Sequence, residues 1–156
     1  MIARILLILG LAAPAAAWAQ PAQHCPWLNA GTAARILGAE VTASIHADSN
    51  WSGSCRFVAA ADPDASIEIV VGKSEDHSCG PDASRLTAIG NSAVLCSAQN
   101  ANGRNVQTVS GRVRDAWFHV AIVRSAKEQN RAPKASDASH SSPIQFLAEQ
   151  VAGNLY

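Results

Sequence analysis

The chain has 156 residues, with 12 basic and 12 acidic side chains, and only 15% of its residues are charged. That length holds one domain and excludes most multi-domain enzymes, while sparse, balanced charge excludes an electrostatic footprint for nucleic acid or an anionic membrane. Much of the 48% hydrophobic content is alanine, and large apolar side chains are scarce, with one Met, three Phe and one Tyr.

The first element is a targeting segment. Arg4 is the single positive charge of a short n-region, and residues 5–13 form an uncharged apolar run. Pro14 breaks that run, and Ala17-Trp18-Ala19 supplies an A-x-A cleavage site. This is the pattern of a secretory signal peptide covering residues 1–19. An uncleaved anchor would need a helix of ~20 residues to cross ~30 Å of hydrocarbon, and the run is too short. The mature chain is expected to start at Gln20 and to form one domain, residues 20–156. It should be periplasmic or secreted, with no stable membrane insertion. Cys25 lies beyond the cleavage site after Ala22-Gln23-His24, so no lipobox forms.

All four cysteines, Cys25, Cys55, Cys79 and Cys96, remain in the mature part. An even count in an exported chain reads as two disulfides. No Cys-x-x-Cys or His-x-x-x-His pair occurs, which argues against zinc and against thiol redox chemistry. The expected pairing is Cys25–Cys55, tying the N-terminus to a strand, and Cys79–Cys96, closing a turn onto the strand that follows. The nested alternative, Cys25–Cys96 with Cys55–Cys79, would require the strand at 54–60 to end beside the later loop.

Past Cys25 the pattern reads helix, strands, helix. Leu28, Ile36 and Leu37 share one side of a short helix that Asn29 caps and Gly38 ends. Strands are expected at 41–45, 54–60, 66–71, 93–98, 105–109 and 116–124, the first of these short. Turn residues separate them at Ala61-Asp62-Pro63-Asp64 and Asn100-Ala101-Asn102-Gly103. Ile67, Ile69 and Val71 alternate onto one face, as do Phe118, Val120 and Ile122. Residues 125–141 are polar and aperiodic and read as a mobile surface loop. Ser142-Pro143-Ile144-Gln145 then forms a capping box with proline at N1, opening a helix whose Ile144, Leu147, Val151 and Leu155 make an apolar stripe.

Motifs for chemistry are few. The chain has no Gly-rich phosphate loop, no G-x-S-x-G and no H-E-x-x-H, and no cofactor is implied. Glu75-Asp76-His77 is the densest acid–base cluster, capable of general acid or base work or simply a solvated turn before a disulfide. Trp117 and His119 point to the face opposite Phe118. They form either an aromatic binding surface with Arg112 and Arg114 nearby, or a face covered by the C-terminal helix. Trp51 sits in a polar loop, within an Asn50-Trp51-Ser52 sequon meaningful only in a eukaryotic secretory host. Arg104, Arg112 and Arg114 form a modest basic strip.

The run Cys25-Pro26-Trp27-Leu28, the helix ending at Leu37-Gly38, and Ser54-Cys55-Arg56-Phe57 together resemble small exported bacterial domains of the DUF3558 type. Ile89-Gly90-Asn91-Ser92-Ala93 and Phe146-Leu147-Ala148-Glu149 suit the same plan. The resemblance implies a Mog1/PsbP-like α+β fold and an envelope location, without catalytic residues to carry over. The lipobox cysteine of that family is absent here. The expected fold is α+β, an antiparallel sheet of about five strands by pattern count with N- and C-terminal helices packed on one face. The expected function is a non-catalytic binding or accessory domain meeting an envelope protein or a small ligand. Two alternatives stand: an inhibitor or immunity protein that presents Trp51 or the 125–141 loop, and a small hydrolase using Glu75, Asp76 or His77.

Overall fold

The computed structural model describes residues 24–74, 79, 83–124 and 142–156. The expected signal peptide, the Glu75-Asp76-His77 cluster and the expected loop at 125–141 lie outside the described residues. Helix α1, Ala30–Leu37, begins where the Asn29 side chain accepts the Thr32 amide at 2.8 Å. It stops at Gly38, whose φ of 67° lets its amide turn back to the Ala34 carbonyl, a conformation that glycine adopts without steric cost. Ala33 and Leu37, four apart, face the core, while Ile36 is only half-buried.

Seven strands follow: β1 (Val41–Ser49), β2 (Ser52–Ala59), β3 (Asp62–Gly72), β4 (Ser84–Leu86), β5 (Ser92–Gln99), β6 (Asn105–Val113) and β7 (Ala116–Val123). Helix α2, Pro143–Asn154, closes the order. The strands form one antiparallel sheet in the order β1-β2-β3-β7-β6-β5-β4. Two meanders, β1–β3 and β4–β7, are thus zipped together along β3 and β7. The expectation of about five strands is corrected to seven. β4 is three residues long, too short to carry a period, and β1 extends to Ser49 through alanines and polar residues with no strand signature.

The expected turn at 61–64 also shrinks. Val58 pairs with Ser66 but Ala59 pairs with Asp62, so the additional residues of β3 form an irregularity. Pro63 has no amide to give a ladder, and such an irregularity is where a strand tolerates it. Around it, Arg104 beside the β5–β6 turn reaches Asp62 at 2.8 Å and Asp64 at 3.2 Å. The Asp62 carboxyl is held below its ordinary pKa, chiefly by the Arg104 hydrogen bond.

Register gathers most of the large apolar strand positions on one face. Cys55, Phe57, Ala59, Ile67, Ile69, Val71, Val109, Val113, Phe118, Val120 and Ile122 are all buried there. Helix α1 packs on this face over β1–β3, and α2 packs over β6 and β7. Helix α2 carries the reciprocal capping box at Ser142 and Gln145, and Ile144, Leu147, Val151 and Leu155 are fully buried. Each such side chain contributes about 1.5–3 kcal/mol of burial. The cysteines pair as Cys25–Cys55 and Cys79–Cys96, both with Cα atoms 5.9 Å apart. The first bond lies on the core face, and the second attaches to the other face, since Cys96 alternates with the inward Leu95. The chain-entropy model assigns roughly 3–4 kcal/mol to each bond.

Gly111 stands opposite Phe118 on the neighbouring strand, and the ring lies over its α-carbon. A methyl group at 111 would sit 2.5 Å from the Phe118 ring and 2.8 Å from the Ser92 carbonyl oxygen. Gly111→Ala is therefore expected to cost about 1–3 kcal/mol, by the overpacking of a close-packed core. A urea titration followed by circular dichroism reads it, and an unchanged midpoint would contradict this packing. The Arg104 bridge gives a pH signature. A carboxyl depressed in the folded state adds stability above its unfolded pKa and loses it as pH falls through the folded value. Arg104→Gln should therefore melt slightly lower than wild type near neutral pH, and the gap should close in acid below about pH 4. Equal gaps at both pH values would exclude the linkage.

Candidate functional site

The face without helices is built by the alternate residues of the same strands. Along β7 these are Trp117, His119, Ala121 and Val123, all half-buried. Their registered neighbours are Gly72, Val70, Glu68 and Ser66 on β3, and Arg112, Ser110, Thr108 and Val106 on β6. Both helices lie on the opposite side, so α2 does not cover Trp117 and His119; the covered-face expectation is corrected. The physical reason is the stripe itself. Val109, Val113, Val120 and Phe118 make a continuous apolar stripe that needs cover, whereas Trp117 and the valines of the other face are interspersed with Arg112, Ser110, Thr108, Glu68 and Ser66.

Trp117 and Arg112 are directly opposite across β6 and β7, and the Arg112 guanidinium carbon lies 5.8 Å from the Trp117 ring centroid. That separation is within cation–π range. The arginine is fixed from below by Nε donating to the Arg114 carbonyl at 2.7 Å, with Asp115 Oδ1 at 3.7 Å from Nη2. One pair further along, Ser110 Oγ and His119 Nδ1 share a hydrogen bond of 2.9 Å. Ser110 is buried, so its hydroxyl orients the imidazole ring and fixes the face that the ring presents. Together the four side chains make a flat patch with one aromatic plane, one exposed guanidinium and one oriented imidazole. Such a patch can take a planar or apolar group against the indole while the guanidinium holds a carboxylate or phosphate oxygen.

The expected residues do not all converge. Arg114 sits at the β6–β7 turn with φ 53°, where its amide donates to Asn91 Oδ1 at 2.7 Å. Its guanidinium lies over the Tyr156 ring beyond the end of α2, which takes it away from the Trp117 patch. Arg104 is at the far end of the sheet, engaged by two aspartates, so the three arginines form no continuous strip. Trp51 is 45% exposed on the β1–β2 turn, at the same end of the sheet as Trp117 but separated from it by β2 and β3.

The sequence alone assigns no structural role to two residues that the structure singles out. Ser110 is an ordinary strand serine until the register of β6 and β7 sets it against His119. Trp27 is fully buried, its Nε1 donating to the Asn50 carbonyl at 2.8 Å and its own carbonyl accepting from Asn154 Nδ2 at 3.0 Å. An aromatic two residues after a bridged cysteine is the available signal, and it marks an anchor, with no part in the patch. Among the described residues no group of three or more His, Cys, Asp or Glu side chains is placed to hold a metal ion. No helix among them is long and apolar enough to cross a membrane. No protein-family model, curated protein or solved structure matches this chain.

Proposed function

We propose that this chain is an exported, non-catalytic binding or accessory domain of the cell envelope, acting in the periplasm or outside the cell. Its ligand-facing surface is the helix-free face around Trp117. The observation that carries this reading is the Arg112–Trp117 stack with the Ser110–His119 pair beside it, left uncovered by either helix. A half-exposed indole on a rigid sheet offers contact area at little entropic cost, which is why Trp and Arg dominate binding surfaces. Two disulfides in so small a core fit a compartment where thiols are oxidised. The likeness to DUF3558-type domains, resting on the residues quoted for it, supports the same envelope location.

A second reading keeps one specific observation. Trp51 projects from a hairpin tip at 45% exposure, as an inhibitor's or immunity protein's plug would. The two readings separate by mutation. Oxidised wild-type protein is immobilised and challenged with envelope extract, alongside Trp117→Ala, Arg112→Ala and Trp51→Ala. The expected result is a species retained by wild type and by Trp51→Ala. Its affinity should fall at least about tenfold with Trp117→Ala and with Arg112→Ala, as truncation of central anchors does. A species lost only with Trp51→Ala would move the surface to the hairpin tip, and turnover of a retained small molecule would overturn the non-catalytic reading.

A further inference from the structure

The two edges of the sheet are treated differently. At one edge β4 is three residues long, the kind of short strand that blunts an edge against further pairing. At the other, β1 runs for nine residues, VTASIHADS, with no proline, lysine or arginine. Its one carboxylate, Asp48, falls at the irregularity between Ala47 and Ser49, outside the regular stretch. Among the described residues no strand lies on the outer side of β1.

The ladder tells which backbone groups that edge presents. The Ala60 amide donates to the Glu40 carbonyl at 2.8 Å, so Glu40 and Ala60 form a hydrogen-bonded pair at the head of the β1–β2 ladder. Hydrogen-bonded and non-bonded pairs alternate in an antiparallel ribbon. Thr42, Ser44 and His46 are therefore bonded to Val58, Arg56 and Ser54. Val41, Ala43, Ile45 and Ala47 turn their N–H and C=O groups outward. The result is an unbroken row of donors and acceptors over seven residues of chain, 41–47, carrying no charged side chain.

We propose that this edge pairs with β1 of a second copy, antiparallel, about a two-fold axis through Ile45. That register puts Ile45 opposite Ile45 as a hydrogen-bonded pair and Ala43 opposite Ala47, engaging the outward groups of Ala43, Ile45 and Ala47 in both copies. It keeps faces aligned, because odd residues meet odd residues and core-side positions meet core-side positions. On the other face Ser44 comes opposite His46, and within one strand these two side chains already lie 3.3 Å apart, a hydrogen-bonding match. Thr42 comes opposite Asp48, and no like charges oppose, which is the self-complementarity an isologous contact demands. Trp51, the one exposed tryptophan among the described residues, stands at each end of this seam, level with the α1–β1 junction of the other copy, and adds apolar area there. The axis is perpendicular to the sheet, so both helical layers fall on one side and both Trp117 faces on the other. The dimer does not depend on what the Trp117 face binds.

Sedimentation velocity on the protein with both disulfides intact, from ~1 to ~100 µM, tests the pairing. A monomer–dimer equilibrium is expected in that range. Ala43→Pro removes an outward amide that β2 does not use, a position where an edge strand accepts proline. It should weaken the dimer at least about tenfold with the far-ultraviolet spectrum unchanged. Ser44→Lys with His46→Lys does the same by charge, setting lysines opposite lysines across the seam, and added salt should partly restore association. A wild-type chain monomeric throughout overturns the proposal and leaves the edge for an extended segment of another protein. A dimer of unchanged affinity in folded forms of both variants overturns it too, since association then uses another surface.

Discussion

The Cys25–Cys55 bond and the indole of Trp27 beside it tie the leading segment to the first hairpin and to the end of the final helix. Cys55 lies in the second strand, Asn50 in the preceding turn and Asn154 at the last turn of the final helix. Trp27 is bonded to both of the latter and is fully buried. A buried indole N–H without an acceptor would cost its desolvation, so the turn at Asn50 and the ring are mutually specified. Through this knot the leading segment, the first hairpin and the end of α2 share one environment. The helical layer is thereby closed over a sheet whose own large side chains are few.

One-sided cover has consequences for everything on the other face. With both helices committed to the Phe118 side, neither covers the Trp117 side, on which Cys96 makes its bond to Cys79. Within the sheet Arg112 lies beside the Trp117 indole and Ser110 beside the His119 imidazole. The surface is stiff because its members are strand residues in a continuous ladder, with short turns at Arg114 and at Asn100–Gly103. A stiff aromatic surface loses little entropy on binding. The same sheet ends unequally, short at β4 and long at β1, so the face and the free edge are separate features of one architecture.

Much of the architecture is legible in the amino-acid sequence. The capped helix at Ala30–Leu37 and the capping box at Ser142 rest on contacts three residues apart, which local sequence determines. Ile67, Ile69 and Val71, and Phe118, Val120 and Ile122, are core because alternation on a strand is also local. Less legible were β4 and the second half of β1, whose alanines, serines and histidine have no period. They are strands because a neighbour supplies hydrogen bonds, and propensity does not report that. Pro63 predicts a turn because proline gives no ladder donor; an irregularity in pairing, which depends on the partner strand, admits it into β3. The alternative of a helix laid over Trp117 failed for a similar reason. Which face a helix covers depends on the summed apolar demand of all seven strands.

By itself, then, the amino-acid order determined the two capped helices, the inward positions of the periodic strands and an export pattern, and it favoured the cysteine pairs that the structure shows over the nested alternative. These follow from capping, from the two-residue period of a strand and from short chain separations that favour near closure. Tertiary structure alone decided which strands lie side by side, which face stays open, that Ser110 meets His119 and Arg112 meets Trp117, and that Arg114 turns away to Tyr156. Each of these depends on register between strands whose pairing is set by the packing of the whole core, and a shift of one residue would reverse every face.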